Sequence, residues 1–200
     1  AWFELARNPY YILVVIYVFA PYFARDIIAG DLLASGELSH LPAEEAQKLA
    51  GAKGQAAAAS VTKWAGLIAA LTAPFLGAAF DRGLRRKPFL FVMLTTIAVM
   101  GLALWWALPG GQGMPVWGVM ACLITAYVCY TYSEVSHNSM LIDAARPDAL
   151  PGISGLGLAL GNAAAVVLFT GMVLMFALPA ELQWPFEKPL FGIDVAQYEH

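Results

Sequence analysis

Charge is what this sequence has least of. Of its 200 residues only 12% are Asp, Glu, Lys or Arg, and 60% are hydrophobic. A soluble domain carries about 25% charged residues. With a mean hydropathy of +0.66, the chain holds more apolar surface than a soluble core of its size has use for. Lys and Arg together number eleven and the net charge is −3. No basic patch is interleaved with aromatics, which argues against nucleic acid as a partner. Cysteine is equally scarce. Cys122 and Cys129 are seven residues apart, so on one helix their Cα atoms stand about 10 Å apart, too far for a disulfide. Neither belongs to a metal-ligand spacing. There is no glycine-rich phosphate loop and no signal-peptide pattern. An enzyme, a cofactor and a bound metal are therefore not expected.

Apolar runs of membrane-crossing length fill the rest. The expected fold class is all-α, a polytopic helical membrane protein with five visible transmembrane helices in a single domain. The spans are expected at about residues 9–28, 55–80, 88–108, 116–139 and 153–178. Residues 1–9 (AWFELARNP) read as a short amphipathic lead, with Pro9 suited to a first helical turn. In the polar stretch 29–54, LPAEEAQKLAG predicts a short surface helix that starts near Pro42 and stops at Gly51. Trp105 and Trp106 are placed like an interfacial belt, and PGGQGMP (109–115) reads as a tight neutral turn. The polar tail 179–200 puts Trp184 and Phe186 at an interface.

Two stripes of small residues repeat at spacing four. Ala65, Ala69, Ala73 and Gly77 form one in the second span, and Gly157, Gly161 and Ala165 form another in the fifth. Such stripes let neighbouring helices approach closely.

The loop GAAFDRGLRRKP (77–88) concentrates four of the eleven basic residues: Arg82, Arg85, Arg86 and Lys87. Short basic loops beside apolar spans stay in the cytoplasm. Placing this one inside gives the inner segments Arg7, Arg82, Arg85, Arg86, Lys87 and Arg146, against Lys48, Lys53 and Lys188 outside. An N-terminus in the cytoplasm follows.

Charged groups within spans suggest a site. Counted from the span centres, Asp26 and Lys63 each lie about 10 Å toward the outer face, so they and Arg25 are candidates for a pair or triad. Alternatively, Arg25 and Lys63 snorkel to the interface. Glu134 is a candidate proton carrier, with His137 one turn on, unless a basic-loop Arg neutralises it. Asn162 is a further polar candidate, for a ligand or for a helix–helix hydrogen bond.

G-x-x-x-D-R-x-x-R-R-K from Gly77 resembles the signature loop of the major facilitator superfamily. Gly77, Asp81, Arg82, Arg85 and Arg86 stand at the matching positions, although the usual pattern has Gly one place after Gly83. NSMLIDAARPDALPGISGLGLALGN (138–162) looks like the span-four to span-five region of one branch, the vacuolar autophagy-related amino-acid effluxers and their bacterial relatives. Asn138, Leu141, Asp143, Ser154, Gly155, Gly157 and Gly161 fit that pattern. Ile142 stands where Pro is usual, and Glu4-Leu5-Ala6-Arg7 occupies the place of the branch's Asp-Trp-Ala-Asn.

The resemblance implies the N-terminal half of a twelve-span transporter, with the second half as its missing partner. A genuine five-span protein is the alternative. It further implies a permease or effluxer that moves a small solute, such as amino acids, by alternating access. The setting implied is the inner membrane of a bacterium, with membrane lipid around the spans. Asp81, Arg82, Arg85, Arg86 and Asp143 would form a charge network that latches the inner gate. The duller reading of the same loop is topology alone. Ala69, Ala73, Ser154, Gly155, Gly157 and Gly161 would pack helices. A non-transporting membrane scaffold on the same fold is the rival function.

Overall fold

The computed structural model describes residues 2–110, 112–144, 146–186 and 188. Five helices are long and apolar enough to cross a membrane. They are α1 (Phe3–Ala34), α2 (Ala43–Asp81), α3 (Arg86–Trp106), α4 (Val116–Leu141) and α5 (Leu150–Phe176). A short helix, α6 (Leu178–Leu182), follows. No strand occurs among the described residues, where Ala107 and Gly113 form a single antiparallel bridge. The described residues divide into two compact units. One comprises the described residues of 1–18 and 148–188, the other those of 19–147.

α1 is longer than the expected first span and includes most of the lead. Pro9 lies inside the helix rather than in its first turn. The helix continues as π-helix over Tyr10–Phe19 and again over Phe23–Gly30. Pro9 directly precedes the first of these stretches and Pro21 lies between the two. Neither proline has an N–H to donate, so the α-helical bonding pattern is interrupted at both.

In the first unit, the early part of α1 runs parallel to α5. Gly157 and Gly161 lie against Glu4, Gly161 also against Asn8, and the Tyr17 ring meets Phe169 at 5.1 Å. Gly161 is where this contact is closest: a Cβ there would stand 3.0 Å from the Glu4 carbonyl oxygen. Gly157, Gly161 and Ala165 are all buried, whereas Ser154 and Gly155 are exposed. The spacing of four selects one face of α5 and Gly155 lies off it, whereas Ser154 shares that face but precedes the level at which Glu4 meets Gly157.

In the second unit, α2 runs antiparallel to the later part of α1. Gly54 lies on Ala24, while Ala46 and Ala50 pack with Ala29 and Leu38. The short surface helix expected over LPAEEAQKLAG is therefore the beginning of α2. Pro42 precedes α2, Glu44 and Glu45 favour its positive N-terminal end, and Gly51 passes through without stopping it. At 39 residues, α2 is about 58 Å long, well beyond the ~30 Å of a bilayer core.

The buried stripe of α2 is Ala46, Ala50, Gly54, Val61, Ala65 and Ala69. Ala73 and Gly77, expected to continue it, are exposed. The contact with α1 lies toward the start of α2, so the small-residue face outlasts its partner. α4 packs on α3 and α2, and the core of this unit gathers Phe23, Ile27, Val61, Leu104, Ala107 and Val119. Trp105 and Trp106 are exposed.

Candidate functional site

Among the described residues, the most buried charges belong to the segment that reads from sequence as a surface lead. Glu4 and Arg7 are each only 9% exposed. Three residues apart on α1, they share one face, and an Arg7 guanidinium nitrogen lies 2.9 Å from the Glu4 carboxylate. The Phe3 ring lies under the same guanidinium, 5.6 Å from its centroid. One residue further, Asn8 donates to the side-chain oxygen of Asn162 at 2.9 Å.

Asn162 stands at the middle of α5, and Glu4 meets α5 between Gly157 and Gly161. The pair and the amide bridge thus lie within the span. Opposite charges at spacing three cancel, and Gly157 on α5 leaves room for the Glu4 stem. A buried pair of this kind is costly to split, by about 3–5 kcal/mol when one partner is removed. Arg7 consequently leaves the set of loop residues counted for topology, and the count on the side expected to be cytoplasmic falls from six to five.

The basic loop in the second unit is built by a glycine. Gly83 has φ +99°. Leu84 N–H donates to the Ala79 carbonyl and Gly83 N–H to the Phe80 carbonyl, both at 3.0 Å. This pair of hydrogen bonds closes α2 by the usual left-handed glycine cap. Arg86 stands over the Phe80 ring at 6.0 Å, and Phe80 meets Phe89 edge-on at 5.3 Å. Phe89 also meets Tyr132, whose hydroxyl is hydrogen-bonded to Thr72. Spans two, three and four are therefore joined near the loop by rings and hydroxyls.

Asp81, Arg82 and Arg85 are exposed and make no ion pair among the described residues. The side chain of Asp143 lies outside the described residues, as do Glu187, Asp194 and Glu199 of the tail.

Asp26 and Lys63 are not brought together. Antiparallel packing sets Asp26 level with about residue 52 of α2, some 15 Å along the axis from Lys63. Arg25 is exposed, and so is Lys63, whose ammonium lies 5.7 Å from the Trp64 ring. The equal depths inferred from span centres fail because α1 and α2 both extend beyond the expected spans.

Glu134 is half-buried on α4, two residues before Ser136, which donates to the Arg86 carbonyl at 3.4 Å. The polar third of α4 thus lies against the start of α3. His137 is half-buried one turn on. No three His, Cys, Asp or Glu among the described residues are grouped to hold a metal.

Sequence reasoning singled out Asn162 but passed over its partners. The signal for Glu4 and Arg7 was present as opposite charges at i and i+3 in a chain otherwise poor in charge. No family model matches this chain, and neither a curated protein nor a solved structure does.

Proposed function

We propose that this chain is the membrane-embedded part of a secondary transporter, one that moves a small polar solute by alternating access. Its lineage on this reading is the major facilitator superfamily, and amino acids are among the candidate solutes. The observation that carries the proposal is the buried Glu4–Arg7 pair, beside the exposed Asn8–Asn162 bridge, where two membrane-length helices meet. Ionisable groups within a span are disfavoured unless they serve an ion or substrate path, a proton relay or a tight structural contact. Five remaining basic residues on the loop side, against three opposite, support an N-terminus in the cytoplasm of a bacterial cell.

One observation favours the rival scaffold. Gly161 lies so close to Asn8 that a Cβ would stand 3.0 Å from its amide nitrogen, which suits a packed helix contact. Flux and stability separate the two readings. The protein is reconstituted in proteoliposomes and tested for counterflow of a radiolabelled amino-acid mixture, with and without a pH gradient. Transport predicts flux in the wild type and its loss in Glu4→Gln at preserved insertion. Absence of flux from well-inserted wild-type protein, with Glu4→Gln merely less stable, would leave the scaffold.

A further inference from the structure

At the end of the second unit opposite the basic loop, α1 is tied twice to the turn between α3 and α4. The Tyr22 hydroxyl donates to the Ala107 carbonyl at 2.8 Å. The Asp31 carboxylate accepts the Gly110 N–H at 2.5 Å. Tyr22 and Asp31 are nine residues apart, so the two bonds hold both a point within α1 and its outer end.

The turn they hold is itself stiff. Ala107 pairs with Gly113, and Met114 N–H donates to the Trp106 carbonyl at 2.8 Å. Gly113 has φ +81°, and a Cβ there would stand 2.4 Å from the Trp106 oxygen. The turn also reaches inward. The Met114 sulfur lies 4.0 Å from the Cys122 sulfur, and both side chains pack on the apolar cluster around Phe23 and Val119.

We propose that Tyr22 and Asp31 form a two-point clamp that fastens α1 to the α3–α4 turn. The clamp holds Met114 against one side of the half-buried Cys122. The two sides of the turn lift together, because Ala107 pairs with Gly113 and Met114 is bonded to Trp106. It lifts only when both ties break, and lifting removes Met114 from the thiol. Each tie of ordinary net strength sets that opening equilibrium by about fivefold, so the two together set it by about 25-fold. The clamp lies within one unit and does not depend on whether the protein transports.

Cys122 reports on it directly. In the full chain carrying Cys129→Ala, Cys122 is the remaining thiol, and a sulfonated maleimide is added to membrane vesicles. With the clamp intact Met114 covers one side of the half-buried thiol, and that labelling rate is the reference. It is expected to accelerate about fivefold in Tyr22→Phe and in Asp31→Ala, and about 25-fold in the double variant. Asp31→Asn keeps an acceptor oxygen and is expected to stay within about twofold of the parent. A double variant that labels at the parental rate overturns the clamp.

A second measurement needs no substitution. Gly110 is exposed, so its amide exchanges with deuterium at an open-loop rate unless Asp31 holds it. Exchange slowed about fivefold or more in the wild type supports the clamp, and open-loop exchange at Gly110 refutes it.

Discussion

Gly54 crosses the carbonyl of Ala24 so closely that a Cβ on it would stand 2.1 Å from the oxygen. The obstacle is backbone, which cannot swing aside as a side chain can. Gly54→Ala is expected to push α1 off α2 and to destabilise the protein by at least about 3 kcal/mol, the upper range for overpacked sites. Gly51, three residues earlier on the same helix, has nothing within 4 Å of such a Cβ. Gly51→Ala is expected to stabilise by about 0.5–1 kcal/mol through the backbone entropy of an interior helical glycine. Thermal unfolding of the two variants side by side checks both signs.

These two glycines show how much of the fold the sequence discloses. Hydropathy alone makes five spans legible, because a run of some twenty apolar residues has few other uses. The start of α2 was not legible, since a glycine that ends a helix and one that admits a neighbour are the same letter. Gly51 reads as a stop, and only the position of Ala24 reveals that Gly54 is a contact. The small-residue stripes divide similarly. Spacing picks out Gly157 and Gly161 on α5, but the length of a contact depends on where the partner helix runs. Ala73 and Gly77 therefore keep the spacing and lie exposed. The candidate site was half legible: Asn162 is conspicuous in an apolar run, whereas Glu4 and Arg7 resemble any polar lead until they are seen to neutralise one another.

The fifth helix offers the same comparison as the second. At Gly161 a Cβ would stand 3.0 Å from both the Asn8 amide nitrogen and the Glu4 carbonyl oxygen, while at Gly155 it meets nothing within 4 Å. Gly161→Ala is expected to cost about 1–3 kcal/mol by forcing α1 and α5 apart. Gly155→Ala is expected to be neutral or slightly stabilising. Equal unfolding temperatures for the two would mean that α1 does not rest on this face of α5.

The Glu4–Arg7 pair makes a prediction about non-additivity. Arg7→Met leaves the Glu4 carboxylate buried without its charge partner and is expected to cost about 3–5 kcal/mol. Glu4→Gln, made alone, strands the guanidinium in the same way. The double variant Glu4→Gln/Arg7→Met leaves no buried charge and is expected to be more stable than Arg7→Met alone. Unfolding of the four proteins in a graded denaturant measures the coupling. Strictly additive losses would mean that the two side chains do not depend on one another.

Asp26 and Lys63 make the opposite prediction. They lie about 15 Å apart along the α1–α2 contact, and Lys63 is exposed beside Trp64. Residues that far apart with no shared partner add within about 0.3–0.5 kcal/mol. The effects of Asp26→Ala and Lys63→Ala on unfolding, and on any flux detected, are therefore expected to sum in the double variant. Lys63→Ala alone is expected to change stability by less than about 0.5 kcal/mol, as substitutions on an exposed surface usually do. A coupling above about 1 kcal/mol would restore the pair that equal depths suggested, and would require α1 to shift by some ten residues along α2. The Gly54–Ala24 contact opposes such a shift, because it would bring Trp64 or Ala65, each with a Cβ, to the place where Gly54 passes the Ala24 carbonyl.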